Sequence, residues 1–260
     1  MNIHEMHNGF RTLGQKMGIQ LIRGILPESI DVFLNDAIIE KTKEELLNGV
    51  NTSLKDNVNL QVSTMNPINL FRNLYRNARY KIDDATNNKL VQHYNSNNGY
   101  YEIIIPTIKY QSDSEISLPN GEYFINPMMY LGFSIEYDDN SKGNATICRI
   151  ISSDIIEATL QDYCNSADKK NPIVTLIGNP KLSYSLESLE NSGNEYIALY
   201  TSTKNCEVKY LNIKYIKTPN IVKYSLDSDK CVNCDLPEYV HYEIVEKAVQ
   251  KYFISIKSDV

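Results

Sequence analysis

Amphipathic helical segments stand at both ends of this chain, and short strand-like segments fill the region between them. The first segment, NIHEMHNGFRTLGQKM, repeats apolar residues every three or four positions, as one face of a helix does, and it is predicted to end near Met17. A second helix is predicted to start at Leu26-Pro27-Glu28, because proline suits the first helical position and a carboxylate suits the positive end of the helix dipole. It is predicted to end before Gly49, and a third helix follows Pro237 at the other end. The first two helices, joined by a short connection, are expected to form an antiparallel hairpin.

The apolar stripes of these helices are the candidate packing surfaces, because each stripe is too wide to face water along its whole length. They can be buried within one subunit or against a neighbouring one. The residues predicted to form an interface are Ile3, Met6, Phe10, Leu13, Ile30, Phe33, Leu34, Ile244, Val245 and Val249.

The middle of the chain has the pattern of a β structure. Short segments rich in β-branched and aromatic residues alternate with turn clusters such as Pro119-Asn120-Gly121, which favours an antiparallel sandwich or barrel over βαβ units. Residues 50–98 are harder to place, but the stretch NPINLFRNLYRNARY can form a helix with Leu70, Leu74 and Ala78 on one side. The predicted strands are YYEIIIPTI, GEYFI, LGFSIEY, ATICRII, PIVTLIG, EYIALYT and EVKYLNIKYIK.

These patterns together predict an α+β fold. An N-terminal helical hairpin and a C-terminal helix are expected to pack with an antiparallel β-sandwich or barrel-like body. The predicted divisions are a helical N-terminal region over residues 1–98, an antiparallel β body over 99–218, and a loop and helix over 219–260 that complete the helical layer.

Composition narrows the function classes. Hydrophobic residues make up 42% of the 260 residues and charged ones 22%, which is typical of a globular protein. The net charge of -6 argues against a protein that binds nucleic acid through phosphate contacts. No apolar run reaches the ~18–20 residues that span a bilayer, and no signal segment opens the chain, so we expect folding in a reducing cytoplasm without a membrane partner.

Metal and thiol chemistry has little support in the sequence. Cys231 and Cys234 form a single C-x-x-C, whereas a structural zinc site needs two further ligands at suitable spacing. His4 and His7 lie three residues apart on the first helix without a third ligand, so we interpret them as surface or interface histidines. The five cysteines are an odd, scattered set, which disfavours a disulfide framework.

No catalytic motif is apparent either. The chain has no nucleophile elbow, P-loop or dinucleotide-binding fingerprint, and the acidic pairs Asp83-Asp84 and Asp138-Asp139 lack the spacing of a calcium loop. A glycosidase pair of carboxylates needs no local motif and stays open at this point. We therefore predict a protein that is not an enzyme, with no catalytic residue, metal or cofactor.

Two stretches resemble a group of phage structural proteins that is best known from crAss-like bacteriophages. The first is IHEMHNGFRTLGQKM followed by LPESIDVFLNDAIIEKTKEEL, where a histidine-bearing helix precedes a (P)E-x-I-D-x-x-L-N-x-A helix matched by Ile30, Asp31, Leu34, Asn35 and Ala37. The second is YLNIKYIKTPNIV, followed by CDLPE at 234–238 and EIVEKAV at 243–249. Together they cover about a third of the chain.

The resemblance implies a non-enzymatic virion protein, assembled in the host bacterial cytoplasm, that forms a ring in the head-to-tail connector. Its implied partners are copies of itself in a cyclic ring, with twelve-fold symmetry as one candidate, the portal, and other neck or tail proteins. Sequence-specific nucleic-acid binding is not expected. The alternative hypothesis is a β-sandwich binding or tail-appendage module that recognises a surface glycan or a protein.

Overall fold

The computed structural model describes ten ranges of the chain, which fall into two compact units. A helical unit combines Met1–Leu74 with Thr218–Val260, and a sheet unit spans Tyr75–Lys217. For residues 47–55, 91–93, 195, 228 and 258 the description covers the backbone only. The described ranges are 1–18, 22, 24–55, 72–82, 91–95, 99–105, 126–137, 145–177, 195–201 and 208–258.

Helix α1 spans Ile3–Lys16, α2 spans Pro27–Lys55, and the C-terminal helix, called α4 because a short α3 precedes it, spans Glu238–Ser258. The start of α1 is fixed by a capping box in which Asn2 and Glu5 each accept the other's backbone N–H. The predicted boundaries at Met17, Pro27 and Pro237 are confirmed, but α2 continues past Gly49. No helix in the described ranges is both long and apolar enough to cross a membrane.

The three apolar stripes meet in one core. Helix α4 packs along both α1 and α2, while α1 and α2 touch each other at few points, so the predicted two-helix hairpin is held together mainly through α4. Leu13 and Phe33 are half-buried. Side chains with at most 1% of their surface exposed are Ile3, Met6, Phe10, Ile30, Leu34, Ala37, Ile38, Ile244, Val245, Ala248 and Val249.

This packing shows where the residues predicted to form an interface lie in the single chain. Eight of the ten positions, all except Leu13 and Phe33, lie inside the core of the helical unit. Ion pairs such as Lys41 with Glu243 and Lys251 with Glu40 also join α2 to α4, but partly exposed pairs contribute only ~0–1 kcal/mol each. The apolar core dominates the stability of the unit.

The sheet unit contains one sheet of eight described strands in the order β1-β8-β4-β5-β6-β7-β3-β2. Neighbouring strands are antiparallel except β5 and β6, which are parallel. The short helix α3, Ile156–Gln161, lies on the crossover between those two. The strands are β1 Tyr75–Lys81, β2 Val91–Asn95, β3 Tyr100–Ile105, β4 Pro127–Tyr137, β5 Thr146–Ile150, β6 Ile173–Ile177, β7 Glu195–Tyr200 and β8 Val208–Lys217.

The sheet is curled into a half-barrel. The Val208 N–H donates to the Tyr101 hydroxyl at 3.3 Å, which joins β8, second in the sheet, to β3, seventh in the sheet. Strands so distant in the order can meet only if the sheet bends round on itself. Residues from both ends therefore share one core on the concave face, including Tyr80, Phe133 and Leu199. The predicted α+β class and the barrel-like body are confirmed.

Two predictions about the body are wrong. The parallel β5–β6 pair breaks the expected all-antiparallel pattern, although its paired register covers only Arg149 with Ile173 and Ile150 with Val174. The end of NPINLFRNLYRNARY is strand β1 rather than the helix that its spacing allows. The predicted strand GEYFI, Cys206 and the acidic pairs at 83–84 and 138–139 lie outside the described residues.

Candidate functional site

Two polar side chains of α2 hold an extended segment of the C-terminal region. The Asn35 amide donates to the Val222 carbonyl at 3.0 Å and accepts the Val222 N–H at 2.7 Å. Asp31 accepts the Tyr224 N–H at 2.9 Å. Residues four apart on a helix are ~6 Å apart along its axis, and residues two apart on an extended chain are ~6.6 Å apart, so the two spacings match. We call Asp31, Asn35 and the backbone of 222–224 the clamp.

The clamp carboxylate also binds a histidine. Asp31 Oδ1 lies 2.7 Å from His7 Nε2, and both side chains are buried. The Tyr224 ring stacks on the His7 ring at a centroid distance of 4.7 Å, and His4 meets it edge-on at 4.8 Å. A buried carboxylate is stable only with such partners, and here it has one on α1 and one on the C-terminal segment. The interpretation of His7 as a surface histidine is therefore wrong.

A short hairpin follows the clamp. Lys223 and Val232 exchange both backbone hydrogen bonds, at 3.1 and 2.9 Å, and close the loop between them. The Cys231 thiol donates to the Ser225 carbonyl at 3.2 Å, and its sulfur lies 3.5 Å from His4 Nε2. We call residues 223–232 the tip hairpin.

The cysteines contribute to structure at this site. A thiol beside an imidazole can act as a nucleophile, but the Cys231 thiol also bonds the Ser225 carbonyl of its own hairpin at 3.2 Å. Burial raises the pKa of Cys234 to about 12, so this thiol stays protonated at neutral pH. Within the described ranges, no group of three or more His, Cys, Asp or Glu side chains is arranged to hold a metal ion.

We expect Cys231→Ser combined with Cys234→Ser to leave folding and assembly intact. A serine hydroxyl at 231 can donate to the same carbonyl as the thiol, and the change at 234 loses only a partly buried sulfur. Circular dichroism and size-exclusion chromatography check the result. Stoichiometric zinc in the purified wild-type protein, with unfolding by a chelator, would contradict it.

Two further hydrogen bonds join the same C-terminal segment to α1 and to α4. The Ile3 N–H donates to the Asn233 side chain at 2.9 Å, which fixes the start of α1. His241 Nε2 donates to the Leu236 carbonyl at 2.8 Å, which fixes the turn before α4. Residues 220–236 are therefore hydrogen-bonded to all three helices.

The sheet unit offers a different surface, an apolar cleft at one end of the half-barrel. Its volume is about 580 Å³, and it lies where β4 and β7 begin and β5 and β6 end. Apart from the tyrosine hydroxyls, the side chains that line it are apolar. The lining includes Met128, Met129, Tyr130, Ile150, Leu176 and Tyr196.

Sequence reasoning found some of these residues and missed others. Asp31 and Asn35 were identified only through the phage resemblance, although two polar residues one turn apart beside the apolar stripe are a signal in themselves. Tyr224 gave no signal, because nothing in its neighbourhood marks a contact with residues almost 200 positions away. No protein-family model and no curated protein matches this chain.

Proposed function

We propose that this chain is a non-enzymatic virion protein that forms a ring in the head-to-tail connector of a tailed phage and contributes to the channel for DNA. Copies would associate head to tail, since a heterologous interface that closes on itself generates a ring. The portal and other neck or tail proteins would lie above and below that ring.

The observation that carries the proposal is the clamp. Asp31 and Asn35 lie in the first stretch that resembles phage connector proteins. They bind the backbone of Val222, which ends the second stretch, and of Tyr224 just after it, about 190 residues further along the chain. Residues at the two stretches therefore bind each other directly. Such contact supports an architecture shared with the phage proteins rather than a chance similarity of two separate segments.

The architecture also suits a ring subunit. Three helices bury their stripes internally and the C-terminal segment is fixed at both ends, so a subunit of this kind can meet neighbours without first reorganising. Association costs less free energy when the contacting parts are already ordered.

The proposal is tested by locating the protein in virions and by imaging the purified chain. Peptides of the chain should be found in purified particles, and negative-stain microscopy should show closed rings. Particles assembled without the protein should have heads that lack attached tails. Absence from the virion would overturn the proposal, and a monomer that binds a surface glycan would favour the tail-appendage alternative.

We expect the isolated protein to show no appreciable binding to duplex DNA at physiological salt. Its net charge is -6, and a wall that does not attract phosphate lets DNA slide. Fluorescence anisotropy with a labelled duplex measures this between 50 and 200 mM salt. A micromolar complex whose affinity falls steeply with salt would contradict the expectation and point to a basic surface formed in the fold.

A further inference from the structure

We draw no further inference here: the strongest candidate, the contact between the Cys231 thiol of the tip hairpin and the His4 imidazole of α1, carries nothing because that thiol also bonds the Ser225 carbonyl and no second feature of the described residues points to a ligand there.

Discussion

Replacing both Ile244 and Val249 with aspartate is expected to unfold the helical unit. Both side chains are fully buried in the core shared by α1, α2 and α4. Each substitution removes a large apolar side chain, at a cost of ~2–5 kcal/mol, and adds a charge that has no partner in that core. Because a domain is stable by only ~5–15 kcal/mol, two such changes suffice to remove its folded state. The helical signal in circular dichroism should fall, and its cooperative thermal transition should be lost or occur far below that of the wild type.

The matched control places aspartate at Tyr242 and Ile254 on the same helix. These side chains are 58% and 65% exposed, so the changes should shift the melting temperature by no more than a few degrees. A buried-position double variant that stays folded but fails to form rings would mean that α4 packs on a neighbour instead. One that folds and assembles normally would show α4 to be dispensable, and the assembly hypothesis would lose much of its sequence support.

The helices could be predicted because their signals are local. Apolar residues at spacings of three and four, such as Ile3, Met6 and Phe10, define a stripe wherever the helix later packs. The start signals at Pro27 and Pro237 lie within one turn of the ends that they define. Local sequence does not show which surface a stripe packs against. The spacing alone is therefore compatible both with an interface and with the core that these residues fill.

Strand β1 shows where periodicity fails. Leu70, Leu74 and Ala78 recur every four residues, as in a helix, while Ala78, Tyr80 and Ile82 recur every two, as in a strand. Both patterns are valid for the sequence. Pairing with β8, from Tyr75 opposite Ile216 to Lys81 opposite Tyr210, decides between them, and β8 lies more than 125 residues further along the chain. The parallel β5–β6 pair is likewise a property of the assembled sheet.

The candidate site could be predicted only in part for the same reason. The sequence places Asp31 and Asn35 one turn apart on α2, but it does not show that the backbone at 222–224 lies against them. The cleft is equally hidden from the sequence, because it is formed by the ends of four strands that are far apart in the chain.

Asp31→Ala is expected to cost ~2–4 kcal/mol of stability, because a buried group that loses its hydrogen-bond partner costs ~1–3 kcal/mol. The alanine leaves His7 without its 2.7 Å contact and the Tyr224 N–H without an acceptor. Asp36→Ala, an exposed position on the same helix, is the control and should cost less than ~0.5 kcal/mol. Urea unfolding measures both, and an Asp31→Ala variant as stable as the control would show the clamp to be unimportant.

A double-mutant cycle with His7→Phe separates the energy of the His7–Asp31 contact from the energy of the packing around it. Phenylalanine keeps a ring against Tyr224 but has no nitrogen for Asp31, so the single variant leaves a buried carboxylate that lacks one partner. Once the carboxylate is absent as well, that penalty disappears. The double variant should therefore be at least ~1 kcal/mol more stable than the sum of the single losses predicts. Exactly additive losses would mean that His7 and Asp31 are not energetically coupled.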